Sequence, residues 1–190
     1  MRRFSIGKAP HWPKTKKILP MDFPNLPYFI DGDFKLSETN AIHEYIADKW
    51  MPTLNGTTPQ EKASVAMIGA IVHEINFPGI TVHCYYGIKD DALKTIEEKV
   101  PLLVKFLGNK KFLVGDKPCW ADFKLYESIQ LMKMLKPDLL TIYPVFHQYQ
   151  KNIESLPNLG PYLASPLHEE NTLPFNNVMA KLNSVVNDKG

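Results

Sequence analysis

Hydrophobic and polar positions fall into two textures along this chain. In the first fifty residues the apolar positions hold no period for long. From residue 60 they recur at three- and four-residue steps, the spacing of one helix face. Ahead of residue 28, five prolines (Pro10, Pro13, Pro20, Pro24 and Pro27) predict loops and turns rather than a long helix. Tyr28-Phe29-Ile30 is a short β-prone run, Asp31-Gly32-Asp33 is a hairpin turn signal, and Phe34-Lys35-Leu36 is read as the returning strand. Ser37 is the expected N-cap of a helix whose apolar face holds Ile42, Tyr45, Ile46 and Trp50. Met51-Pro52 ends that helix.

Beyond residue 60 the pattern predicts helix almost throughout. Residues 60–86 are rich in Ala, Ile and Val, and Pro78-Gly79 is expected to kink or break the run. Leu93, Ile96, Val100, Leu103 and Leu107 form a stripe closed by Gly108. Pro101 inside that stripe argues against an unbroken helix. After a turn at Gly115-Asp116, Phe123, Tyr126, Ile129 and Met132 predict another helix, with more at 143–155 and 159–163. The tail from Glu169 is polar and weakly patterned. The expected class is α+β, mainly helical: a small α/β domain over residues 1–50, a linker over 51–59, and an all-helical domain over 60–190.

Composition narrows the function classes. The chain has 190 residues, 44% of them apolar, and a net charge of +2, which gives no pull toward nucleic acid. Cys84 and Cys119 form no CxxC and are read as reduced thiols. No apolar run reaches the ~20 residues of a membrane span. Met1-Arg2-Arg3-Phe4-Ser5 has no apolar stretch behind its arginines, so no signal peptide is read there and a cytoplasmic location is expected. The six histidines show no metal spacing, and His73-Glu74 does not open an HExxH. No G-x-S-x-G or phosphate-cradling glycine loop occurs.

The informative stretch runs from Asp22-Phe23-Pro24-Asn25-Leu26-Pro27 through the hairpin to Leu36-Ser37-Glu38-Thr39-Asn40. A helix N-terminus presents free N–H groups and a partial positive charge, which suit a carboxylate. Thr39 adds a hydroxyl, and Glu38 suits an ammonium; a free amino-acid end has both charges. The plainer reading is that Ser37, Glu38 and Thr39 merely cap a helix, and periodicity alone favours it.

The same stretch resembles the mu-class glutathione transferases, whose pattern is DFPNLPYLIDG followed by QSNAI. A second landmark, Phe106-Leu107-Gly108, Val114-Gly115-Asp116-Lys117 and Asp122-Phe123, resembles the family's FLG, GDK and DF signature. The resemblance implies a glutathione transferase fold with a thioredoxin-like N-terminal domain and an all-α C-terminal one. It implies a homodimer with glutathione as co-substrate, no resident cofactor, and the addition of its thiol to small apolar electrophiles in detoxification. Pro27 matches the family's cis-proline, and the Leu26 backbone, with Asn25 in the same loop, would pair with the cysteinyl part of glutathione. Glu38 and Thr39 match the pair that holds the γ-glutamyl end. Trp12 and Lys16 match the holders of the glycyl carboxylate; the alternative for Lys16 is a solvated charged loop. Tyr85 matches a tyrosine over the electrophile site, the alternative being an ordinary helix aromatic. Phe23 matches an apolar key into the partner subunit, the alternative being a core phenylalanine.

Two departures qualify the expected activity, one of them a chain shorter than the family's between Pro10 and Trp12, where the resemblance places a glycyl-binding arginine. The family opens with a strand and helix, and that strand bears the tyrosine that stabilises the glutathione thiolate; both elements are expected to be missing ahead of the segment containing Phe4. The thioredoxin-like domain is therefore expected to be incomplete, and activity of this chain to be in doubt. The competing expectation is a non-catalytic glutathione- or ligand-binding and dimerisation module on the same scaffold. A smaller departure is Cys119, where the family usually has the Ser or Thr of a capping box closed by Asp122.

Overall fold

The computed structural model describes residues 12–166 and 168, except the side chains of Trp12, Pro13, Thr15 and Cys84. The segment containing Phe4 and the tail from Glu169 lie outside the described residues. The proline-rich start makes one short helix, α1 (Trp12–Ile18), where only loops were expected. Pro13 sits in its first turn, where a missing N–H is tolerated. Strands β1 (Tyr28–Asp31) and β2 (Phe34–Ser37) then pair antiparallel, Tyr28 opposite Ser37 and Asp31 opposite Phe34, as the turn signal predicted. Among the described residues the sheet has these two strands. Helix α2 (Thr39–Trp50) follows, its apolar face set by the spacing of Ile42, Tyr45 and Ile46. The stretch between α2 and the next helix contains a 3-10 turn, Pro52–Asn55.

Helix α3 (Pro59–Glu74) opens on a capping box: Thr58 Oγ1 accepts from the Glu61 N–H at 3.2 Å, and Glu61 reaches back to the Thr58 N–H. Its end widens into a π-helical segment, Ile75–Thr81, which contains Pro78, and then tightens into α4 (Val82–Tyr86). The Pro78-Gly79 irregularity is thus an expanded turn rather than a break. A neighbour fixes it in place. A Cβ on Gly79 would lie 2.5 Å from Thr95 Cγ2, so α5 (Lys89–Leu107) approaches there as only glycine allows. Helix α5 passes through Pro101 unbroken, against expectation. Pro101 and Glu97 are both exposed, so water can take the carbonyl that proline leaves without a donor.

Helix α6 (Trp120–Leu135) is the central helix, followed by α7 (Leu139–Ile142), which the sequence pattern did not signal, α8 (Val145–Glu154) and α9 (Leu159–Leu163). One continuous core joins α3, α5, α6 and α8 through Val72, Ile96, Leu103, Leu125, Ile129 and Phe146. Pro59–Thr81 is long and apolar enough by composition to pass for a membrane span, although Glu61, Lys62, His73 and Glu74 interrupt its apolar run. It lies along this core, with Val65, Ile68, Val72, Ile75 and Ile80 buried against the other helices.

Candidate functional site

The site begins where β2 turns into α2. Ser37 ends the strand, and its hydroxyl donates to the Phe23 carbonyl at 2.7 Å instead of capping the helix. The cap position falls to Glu38, one residue later than expected. Glu38 has φ 74° and ψ 118°, a left-handed conformation uncommon for a residue with a side chain. That twist turns its carboxylate away from the helix, where Asn25 Nδ2 approaches Glu38 Oε1 at 3.4 Å. Glu38 therefore makes no side-chain capping bond. The first bond of the helix runs from Ile42 N to the Glu38 carbonyl at 3.0 Å. The N–H groups of Thr39, Asn40 and Ala41 precede it and face outward as donors. The plain capping reading thus fails on geometry, and an open helix N-terminus remains.

The Leu26–Pro27 peptide bond is cis, as the resemblance implied. Leu26 is partly exposed and lies before the hairpin ladder, which starts at Tyr28. The loop thus brings Asn25, Leu26 and Pro27 alongside Glu38 and Thr39. Lys16 is exposed on α1, and the Trp12 side chain lies outside the described residues, so the structure does not join the two to this group. Tyr85 sits half-buried in α4, on the helical part of the molecule. Phe23 is 79% exposed, which removes the core-phenylalanine reading. Two shallow clefts lie elsewhere, one around Thr57, Glu61 and Cys119, the other around Asn109, Lys111 and Gln148.

Behind the open helix end lies a basic cluster that no motif signalled. Lys124 of α6 is only 9% exposed. Its Nζ donates to Asn40 Oδ1 at 2.7 Å and lies 2.9 Å from His73 Nδ1 of α3. Burial lowers the Lys124 pKa to about 8. His43 of α2 stacks on Trp120, ring centres 5.4 Å apart, and its buried Nδ1 has no hydrogen-bond partner. Burial first, then the Lys124 and His73 charges, lower the His43 pKa to about 4. His73 is lowered too, mainly by burial and then by Lys124, with Glu38 pulling the other way. Trp120 is itself placed by a glycine: a Cβ on Gly69 would lie 2.0 Å from Trp120 Cη2. Its indole N–H donates to Asn55 Oδ1 at 3.1 Å. The signal available in the sequence was Lys124 itself, one turn from Trp120 on a helix whose faces are mostly apolar.

A second buried polar centre serves the fold. Asp122 is fully buried at the start of α6. It accepts from Cys119 N at 2.7 Å, from Leu113 N at 2.8 Å and from the Tyr149 hydroxyl at 2.7 Å. Burial raises its pKa while these three donors pull it back. The departure expected at Cys119 is milder than a lost cap: the box with Asp122 still closes, with the sulfur in the place of a hydroxyl. Among the described residues no group of three metal-ligating side chains occurs.

Comparison with known proteins gives one consistent result. Residues 4–48 match the model for the glutathione S-transferase N-terminal domain, and residues 86–166 match the glutathione S-transferase C-terminal domain. A glutathione S-transferase of Dermatophagoides pteronyssinus is 33% identical over 171 residues, spanning 85% of this chain and 77% of that protein. Glutathione S-transferase Mu 1 of Bos taurus is 34% identical over 173 residues, spanning 86% and 78%. Among solved structures, the glutathione S-transferase Blo t 8 superposes with a TM-score of 0.71 at 27% identity, over 84% of this chain and 77% of that one. The enzyme from Ascaris lumbricoides gives 0.69 at 26%, over 83% and 80%.

Proposed function

This chain belongs to the glutathione S-transferase family, and from that premise we propose that it holds glutathione along the edge running from Asn25 to Thr39. The observation behind this is the open N-terminus of α2. Three backbone donors there are left uncapped because the Glu38 side chain is turned toward Asn25. The γ-glutamyl carboxylate meets those N–H groups and the Thr39 hydroxyl, a charge-assisted contact at the positive end of a helix. The γ-glutamyl ammonium meets Glu38. The cysteinyl part runs antiparallel to the Leu26 backbone beside Pro27, adding a strand-like segment to the exposed loop. Lys16 and Trp12 hold the glycyl carboxylate in this reading.

Family members join the glutathione thiol to electrophilic substrates and commonly form dimers. In the reading proposed here, the electrophile sits over the helical part, where the Tyr85 hydroxyl donates to an oxygen that gains charge as the carbon–sulfur bond forms. The free thiol has a pKa of about 8.5, so the site must favour the thiolate for the reaction to run at neutral pH. In this reading a second copy of the chain docks over Phe23, which is 79% exposed and outside the core. The buried free thiol of Cys119 suits a reducing, cytoplasmic setting.

Calorimetric titration with glutathione tests the site. Wild type binds, and Thr39→Ala binds about tenfold more weakly, as expected for a lost charge-assisted hydrogen bond. Equal affinities in the two proteins would remove Thr39 and the α2 terminus from the site.

A further inference from the structure

The Lys124 cluster is absorbed by neither the fold nor the proposed chemistry. Buried lysines are rare because desolvation of an ammonium is unfavourable. Among the described residues no carboxylate lies within hydrogen-bond reach of this one; its contacts there are an amide oxygen and an imidazole nitrogen. What sets this lysine apart is its target. Asn40 is the second residue of α2, in the turn that presents the open N–H groups. A cation from α6 is thus fastened directly behind the end of a helix from the other part of the molecule.

We infer that Lys124 is a positioning residue for glutathione: its ammonium fixes the first turn of α2 through Asn40 and adds positive charge behind the γ-glutamyl carboxylate. This rests on the glutathione reading above. Lys124 does not touch the ligand; it acts through Asn40 and through its field, which is weakly screened in a partly buried seam. The groups facing it decide its charge. His43 from α2 and His73 from α3 are both held neutral at pH 7 by their lowered pKa values, and Glu38 reaches the cluster through His73. Around neutrality Lys124 is therefore the one cation among the described residues of the seam, with the Glu38 carboxylate facing His73 at its edge. That charge is lost as pH rises through about 8, well before an ordinary lysine would titrate.

The experiment measures the affinity of S-methylglutathione by calorimetry from about pH 7 to about 9.5 for wild type, Lys124→Met, Asn40→Ala and the double variant. The blocked thiol removes its own titration, and the ligand's amino group titrates identically against every protein. Backbone hydrogen exchange of residues 42–45 is recorded in parallel on the ligand-free proteins. The expected result is binding about tenfold weaker in Lys124→Met at pH 7. The gap to wild type should narrow as pH climbs through about 8. The double variant should be no worse than the poorer single variant, since Lys124 acts partly through Asn40. Exchange at residues 42–45 should be faster in Lys124→Met. A gap of constant size at every pH would reduce Lys124 to packing and overturn the inference, as would equal affinities with equal exchange. Absence of binding by wild type alongside faster exchange in the variant would instead sink the glutathione reading, and the ligand half of this inference with it.

Discussion

The hairpin with α2 and the helical part of this molecule are held together by different physics. In the helical part, whole side chains vanish from solvent: Ile96, Leu107, Ile129 and Phe146 are completely buried, and so is the carboxylate of Asp122. In the hairpin region, of the described residues, only Ile42 and Ala47 reach the buried class. What fills their place is a surface cluster of rings. Phe29, Phe34, Tyr45 and Trp50 meet at centroid distances between 4.7 and 6.2 Å, with the Lys49 ammonium over Trp50 and paired with Asp31. A two-stranded hairpin is marginal in water by itself. Its docking through α2 onto α3 and α6 is therefore the element that keeps it folded, and that seam sets the polar side chains of Asn40, His43, His73 and Lys124 beside apolar Ala47 and Trp120. One region is stabilised by apolar burial, the other by attachment. The edge proposed for glutathione sits on the attached region, and regions that bury few apolar side chains open more readily than a packed core.

The largest effect that would sharpen this contrast is at Asp122. Asp122→Ala leaves the N–H groups of Cys119 and Leu113 and the Tyr149 hydroxyl without their acceptor in a site closed to water. A loss of about 3–5 kcal/mol in urea unfolding is expected. A loss below about 1 kcal/mol would mean that the helical part does not depend on its polar centre, and the contrast would weaken.

The seam should respond to acid. His43 binds its proton at about pH 4 in the folded protein against 6.5 unfolded. As pH falls below 6.5 the unfolded state takes up the proton first, so stability declines from there to about pH 4 and then levels off. The decline attributable to His43 is about 3 kcal/mol. His43→Phe keeps a ring on Trp120 but cannot titrate, so its unfolding free energy should fall less steeply across the same window. A residual slope is expected because the His73 pKa is lowered as well. Parallel profiles for the two proteins would show that the seam does not feel the His43 proton.

The smallest effect is at the cap of α6. Asp122 already serves the Cys119 N–H, and the thiol facing the helix is a weak acceptor. Cys119→Ser offers a hydroxyl oxygen to the Asp122 N–H at almost the same volume. A gain of about 0.5–1 kcal/mol in a thermal melt is expected. A lowered midpoint would show that the site rewards the apolar character of sulfur, as buried cysteines often do, and would place even the cap under the rule of burial.

Local patterning specified much of this protein. The hairpin register followed from Asp31-Gly32-Asp33, and the helix stripes from Leu93 to Leu107 and from Phe123 to Met132 followed from spacing alone, because nearest-neighbour geometry fixes which residues share a face. The family was legible in Asp22-Phe23-Pro24-Asn25-Leu26-Pro27 and in the downstream glycine and aspartate signature. Pro101 misled, because its breaking tendency was weighed without its place off the Leu93–Leu107 stripe, on the wet face where water can serve the carbonyl that loses its donor. The one-residue shift of the cap from Ser37 to Glu38 was equally hidden, since it depends on a left-handed Glu38 and on the Phe23 carbonyl that occupies Ser37. Only the tertiary structure brought Lys124 to Asn40, 84 positions away in the chain. Sequence determines which residues can share a face; packing between elements decides which charges are stripped of water, and that is where pKa values move and a site acquires its electrostatics.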